Sequence, residues 1–153
     1  VRPMFWRALF AFLALPGIIA VGVPAWFAMT ERRAGGPFHV LGLLPLLAGF
    51  VLLLWCVRDF YVTGKGTLAP WAPPANLVTT GLYSYSRNPM YVAVTAMLIG
   101  WALSFESGVL CIYAGIVALA FHLRVVFGEE PVLARQFGAQ WQEYRARVPR
   151  WLL

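Results

Sequence analysis

Charge is scarce in this sequence. Only 12% of its 153 residues are charged, whereas 61% are hydrophobic. An ordinary globular domain carries about 25% charged and 45–50% apolar residues. A soluble chain this short could not hide so much apolar surface, because small domains expose too much area per unit volume. The composition therefore indicates an integral membrane protein, with residues 1–153 forming one domain. Cysteine is nearly absent as well. Cys56 and Cys111 each stand alone in an apolar run. That excludes a disulfide framework and a cysteine zinc site, and both are expected to be buried, inert thiols. There is also no metal-ligand cluster, no nucleophile–base triad, no G-x-G-x-x-G after a strand and no Walker pattern, so a soluble nucleotide fold finds no support. The net charge of +6 does not indicate nucleic acid. The bases are scattered beside apolar runs, as membrane flanks are, and do not line a groove.

What is present is a set of long apolar runs. Four membrane spans are expected, at 8–30, 36–57, 89–105 and 108–124, each near the 17–25 residues a bilayer requires. Arg2 and Arg7 before the first run resemble a signal-peptide n-region, but the run is too long and Val23-Pro24-Ala25 is a weak cleavage site. The segment is read as a retained helix. Pro16, Pro24 and Pro45 should kink the first two spans, with neighbouring helices satisfying the freed carbonyls. Gly17, Gly22, Gly42 and Gly49 should permit close helix contact. Ser107-Gly108 after Glu106 should close spans three and four into a hairpin. With four spans, ten of the 12 basic residues fall on one side and only Arg32 and Arg33 on the other. Basic loops stay in the cytosol, so both termini and the loop after span two should face it.

Two polar segments share that side. The loop 58–88 is rich in Gly and Pro, yet it is too long for a mere connection, and Trp71, Tyr83 and Tyr85 argue against disorder. In the tail, 127–153, Pro131 can open a helix with Glu129 and Glu130 beside its positive end. Leu133, Phe137, Trp141 and Tyr144 then recur on one face. An amphipathic helix is expected, lying on the membrane surface or folded back over the cytosolic mouth. The paired glutamates either cap that helix or hold hydroxyls or a cationic group of a ligand. His122 and Arg124 end span four. Arg124 either snorkels to headgroups or offers a planar fork to an anion.

LVTTGLYSYSRNPMY at 77–91, a short hydrophobic hairpin, and EEPVLARQFGAQWQEYRARVPRW at 129–151 follow one another in an order and spacing that resemble the isoprenylcysteine carboxyl methyltransferase family. Phospholipid methyltransferases share a related pattern. The resemblance covers the C-terminal half and implies an all-α, polytopic membrane enzyme that uses S-adenosylmethionine on the cytosolic side. It implies that Ala75, Asn76, Leu77, Val78 and Tyr83 line the cofactor pocket. Arg87, Asn88, Pro89, Met90 and Tyr91 match an Arg-His-Pro-x-Tyr motif. The pair Glu129 and Glu130, its first member above all, matches a cofactor contact. Arg124 matches a substrate-contacting arginine, one residue further from the glutamates than the pattern has it, and Arg147 is a second candidate for an anionic group. Asn88 replaces the motif histidine; an amide exchanges hydrogen bonds but does not titrate near neutral pH. Methyl transfer from a sulfonium needs no enzyme nucleophile or metal, which agrees with the missing triad. The acceptor should be a lipophilic small molecule or lipid that enters between helices from the membrane. Two other readings are a membrane reductase of sterol-reductase-like architecture using NADPH and a non-enzymatic membrane scaffold.

Overall fold

A computed structural model describes residues 13–33, 35–64 and 75–152. Among them every regular element is helical. A π-helical stretch, Leu13–Gly22, runs into α1, Val23–Arg33. A 3-10 turn, Val40–Gly42, leads into α2, Leu43–Val62. A second 3-10 turn, Gly81–Ser84, precedes α3, Pro89–Phe105, and then α4, Gly108–Arg124. A further π-helical stretch, Val125–Glu129, leads without a break into α5, Glu130–Phe137, followed by α6, Ala139–Arg147.

The central helix is α3. It buries nine residues, among them Ala93, Val94, Met97 and Leu98, against Ala20, Leu53 and Ala114 from its neighbours. Its closest partner is α2, and glycine makes the approach possible. A Cβ on Gly49 would sit 2.5 Å from the Ala93 carbonyl oxygen, and one on Gly42 would sit 2.4 Å from the Ser104 nitrogen. Small residues let backbones meet in this way. Gly22, by contrast, meets only ordinary contact.

Two helices, 40–62 and 108–137, are long and apolar enough to cross a bilayer, and α3 is a shorter apolar one. Only 22% and 17% of their most apolar windows are buried. Leu44, Leu47 and Val51 on α2 and Ile112, Ile116 and Leu119 on α4 look outward. A soluble core helix would hide such side chains, and lipid does not require it.

Several expected boundaries move. The second span continues through Val62, so Arg58 and Asp59 are helical and the loop begins at Thr63. Pro45 lies in the first turn of α2 and does not bend a mid-span. Pro24 does disturb its helix, and the remedy is visible. It cannot donate to the carbonyls of Ile19 or Ala20, and Tyr113 Oη (3.0 Å) and Trp101 Nε1 (2.9 Å) donate to them instead. The α3–α4 hairpin forms as expected. Glu106 adopts a left-handed conformation, and Ser107 Oγ caps α4 by accepting from Leu110 N. Cys56 is buried but Cys111 is exposed, because α4 is an outer helix whose buried residues are Leu110 and Ala114. The tail helix is two helices, since Gly138 (φ 50°, ψ −118°) breaks it in a conformation that favours glycine. Its expected face survives the break. Leu133, Phe137, Trp141 and Tyr144 pack together with Val148 and with Leu77 of the loop, so the tail folds back over the loop. Residues 1–12, with Arg2 and Arg7, and 65–74, with Lys65 and Trp71, lie outside the described residues.

Candidate active site

One end of the bundle gathers the motif residues. Gly81 opens the corner with φ 61°, and a Cβ there would meet Asp59 Oδ2 at 2.3 Å. The 3-10 turn that follows buries Tyr83, whose carbonyl accepts a 2.7 Å bond from Tyr144 Oη. Pro89 occupies the start of α3, where its missing N–H costs nothing. Tyr91 therefore sits in the first turn, its ring stacked on Phe121 of α4 at 4.4 Å. Its hydroxyl donates to Glu129. Arg124 Nε reaches both, 3.1 Å from Tyr91 Oη and 2.8 Å from Glu129 Oε1. The π-helical turn between Arg124 and Pro131 widens the helix just where these two side chains must share one face.

Glu130 turns the other way. Arg150 grips it with two bonds, 2.8 and 2.9 Å, and Arg87 Nη1 lies 2.9 Å from the same carboxylate. Burial disfavours the Glu130 anion, but the Arg150 hydrogen bonds and the charges of Arg87, Arg150 and Arg145 outweigh it and hold its carboxyl below the usual range. Burial pulls Arg87 down from the ordinary arginine value, with Glu130 opposing. Asn88 Nδ2 donates to the Arg150 carbonyl at 3.0 Å, Ser86 Oγ to the same oxygen at 3.3 Å, and Arg87 N to Pro149 O at 2.9 Å. The asparagine that replaces the motif histidine is thus part of a clasp between 86–88 and 149–150.

Between these groups lies a cavity of about 80 Å³. Leu77, Val78, Tyr83, Asn88, Met90, Tyr91 and Glu129, all named from the sequence as candidates, line it together with Arg87. Phe60, Leu133, Trp141 and Tyr144 complete the wall. Three wall nitrogens make no directed hydrogen bond: Arg87 Nε, Arg87 Nη1, which is ion-paired with Glu130, and the buried Trp141 Nε1. The Arg87 guanidinium sits 5.4 Å from the Trp141 ring centroid. Of the other sequence candidates, Pro89 and Glu130 stand behind the wall. Ala75 and Asn76 are exposed and bonded to Gly64 and Thr63. Arg147 is exposed on α6 and pairs with Glu143. Sequence reasoning missed Arg150 and the indole of Trp141. No local pattern signalled Arg150, because its partner Glu130 lies 20 positions away and meets it only in the fold.

An apolar groove of about 500 Å³ runs from Tyr91 between α3 and α4, along Val92, Thr95, Ala96 and Ala118 to Ile99, with His122 and Trp151 beside its Tyr91 end. Tyr91 faces both spaces. A cavity of about 450 Å³ beside Glu31 and Glu106 lies at the opposite end of the bundle and contains none of the motif residues.

Residues 37–140 match the phospholipid methyltransferase family, which is more than half of the chain. The chain belongs to the phospholipid methyltransferase family. The match runs from the approach to α2 into α6. It includes the Tyr91–Glu129–Arg124 cluster but stops short of Tyr144 and Arg150. Of the curated relatives, the nickel-cobalt-cadmium resistance protein NccN of Alcaligenes xylosoxydans xylosoxydans is 34% identical over 71% of this chain and 46% of its own. The protein-S-isoprenylcysteine O-methyltransferase of Schizosaccharomyces pombe is 32% identical over 48% of this chain and 31% of its own. The chain spans less than half the length of the curated relatives it matches. No solved structure matches. The family match thus coincides with helices whose apolar side chains face outward.

Proposed function

We propose that this protein is an S-adenosylmethionine-dependent methyltransferase acting in the membrane on a lipophilic acceptor of the isoprenylcysteine-carboxylate or lipid type. The observation that carries the reading is the position of Tyr91, in the wall between a polar cavity and an apolar groove, tied to Glu129 and Arg124. A methyltransferase joining a soluble donor to a lipid-soluble acceptor needs two such compartments that meet at one point.

The donor set of the cavity suits the cofactor. Phe60, Tyr83 and Trp141 offer aromatic faces to a purine and to a cationic sulfur. The Arg87 Nε–H and Trp141 Nε1–H groups, which make no hydrogen bond, suit a carboxylate or ring nitrogens. Glu129 suits hydroxyls or an ammonium group. When bound, S-adenosylmethionine supplies an electrophilic methyl group. The chain's residues then align the two partners and exclude water. Arg124 positions an anionic acceptor group at the mouth of the groove, and Tyr91 holds Arg124 and Glu129 in register. Arg147, paired with Glu143, has no part in this reading. At pH 7 a carboxylate acceptor is already ionised and needs no base. Four spans, with both termini and the cavity on the cytosolic side, complete the proposal. Arg58, Arg87, Arg124 and Arg150 stand at the cavity end, while Arg32 stands at the other, as basic cytosolic flanks require.

Calorimetry of the purified protein in nanodiscs with S-adenosylmethionine, S-adenosylhomocysteine and NADPH tests the reading. Binding of the first two alone is expected. Binding of NADPH alone would support a reductase, and binding of none a scaffold. Radiolabelled methyl transfer into a lipid extract then identifies the acceptor.

A further inference from the structure

The cavity holds a contradiction. Small-molecule sites measure about 300–1,000 Å³, and this one, at about 80 Å³, takes little more than a few waters. Its chemistry suits a nucleoside-bearing cofactor, but its volume does not. Some wall must move, and the walls are not equally fixed. Phe60 and Tyr91 stand on α2 and α3, which pack along their length. Trp141 and Tyr144 stand on α6, and among the helices α6 packs substantially only against α5.

We infer that residues 139–152 form a strap that swings about Gly138 to open the cavity, and that Glu130 and Arg150 are its latch. The inference rests on the proposed cofactor reading. The pivot is visible: Gly138 has a backbone conformation that favours glycine, and open space surrounds it. The latch lies at the far end of the strap and is polar throughout. It comprises the two Arg150–Glu130 bonds, the Arg87 contact, the bonds of Ser86, Asn88 and Arg87 to 149–150, and Tyr144 Oη on the Tyr83 carbonyl. Polar bonds of this kind exchange for water when they open, so they can close a lid without locking it. Trp141, Tyr144 and Val148 of the strap also pack on Leu77 and Leu133, so opening uncovers apolar surface as well as polar bonds. Arg150 is a positioning residue here. It touches no reacting atom, and through Glu130 it sets the lifetime of the closed cavity. Opening uncovers the Arg87 and Trp141 N–H groups to an arriving ligand.

The test uses the full chain in nanodiscs with S-adenosylhomocysteine as probe, followed by stopped-flow tryptophan fluorescence. In Arg150→Gln both association and dissociation should speed up by about tenfold or more, with the dissociation constant changing much less. Arg150→Lys, which keeps the charge and one bond, should fall between. Hydrogen exchange in the absence of ligand provides a second readout: amides of 140–147 should exchange about tenfold faster in Arg150→Gln, while those of α3 stay unchanged and show that the bundle is intact. Ligand binding with wild-type rates in Arg150→Gln overturns the strap alone. A change confined to dissociation makes Arg150 a ligand-affinity residue and also overturns it. Failure of the wild-type protein to bind the probe overturns the cofactor reading and the gate with it.

Discussion

The chain uses the same backbone device twice, and the two copies serve different ends. At 13–22 and again at 125–129 the helix widens into π-helical turns just before a proline, Pro24 in one case and Pro131 in the other. A wider turn draws the carbonyls away from the proline ring. In the first copy the neighbours close in: Trp101 and Tyr113 satisfy the freed carbonyls, and Ala20 is fully buried. In the second Val125 is buried but Phe127 is 75% exposed, and the turn carries Glu129, with Glu130 opening the next helix. One irregularity is a packing joint and the other is the floor of a site. The local geometry does not distinguish them; their neighbours do.

The largest effect is expected just beyond the second joint, at Glu130→Ala, which leaves the buried Arg87 guanidinium without its counter-charge and should cost about 3–5 kcal/mol in detergent unfolding. Mutations at the two joints themselves should separate stability from binding. At the first joint, Trp101→Phe should leave the Ala20 carbonyl unpaired and cost about 1–3 kcal/mol by the same measurement, with cofactor affinity unchanged. Glu129→Gln and Tyr91→Phe should reverse that pattern. Each should weaken S-adenosylhomocysteine binding about tenfold by calorimetry while unfolding shifts by less than about 1 kcal/mol. Equal effects on stability and binding at both joints would erase the distinction.

Acid should discriminate more finely. Glu130 titrates below its ordinary value when folded, so its ion pairs contribute fully above the unfolded value of about pH 4.3 and are lost as pH falls through the lower folded one. Hydrogen exchange at 140–147, corrected for intrinsic rate, should be flat from pH 8 to 5 and accelerate below about pH 4. The smallest effect is expected at Arg147→Ala, which removes an exposed i,i+4 pair worth about 0.3–0.5 kcal/mol and should leave binding unchanged.

Much of the molecule was legible from side-chain chemistry along the chain. The apolar runs located the helices because burial and lipid both demand them. Glu106-Ser107-Gly108 announced the hairpin, and the order of LVTTGLYSYSRNPMY and the glutamate pair announced the family. The helix ends were less legible. Arg58 and Asp59 remain helical because a charged residue at the end of a helix is tolerated where water or a partner reaches it, and Asp59 lies under the Gly81 turn. The tail read as one amphipathic helix because periodicity ignores a glycine that leaves the pattern intact.

By itself the sequence determined which residues prefer apolar surroundings, where the backbone loses a donor, and which polar side chains are available. Only the tertiary structure decided how the two adjacent glutamates divide. Glu129 turns to Tyr91 and Arg124 beside the cavity, and Glu130 turns to Arg87 and Arg150 behind it. Adjacent residues on a helix point about 100° apart, so each meets whatever partner the fold brings to its own side. Those partners, 5, 20, 38 and 43 positions away in the chain, are beyond the reach of any local pattern.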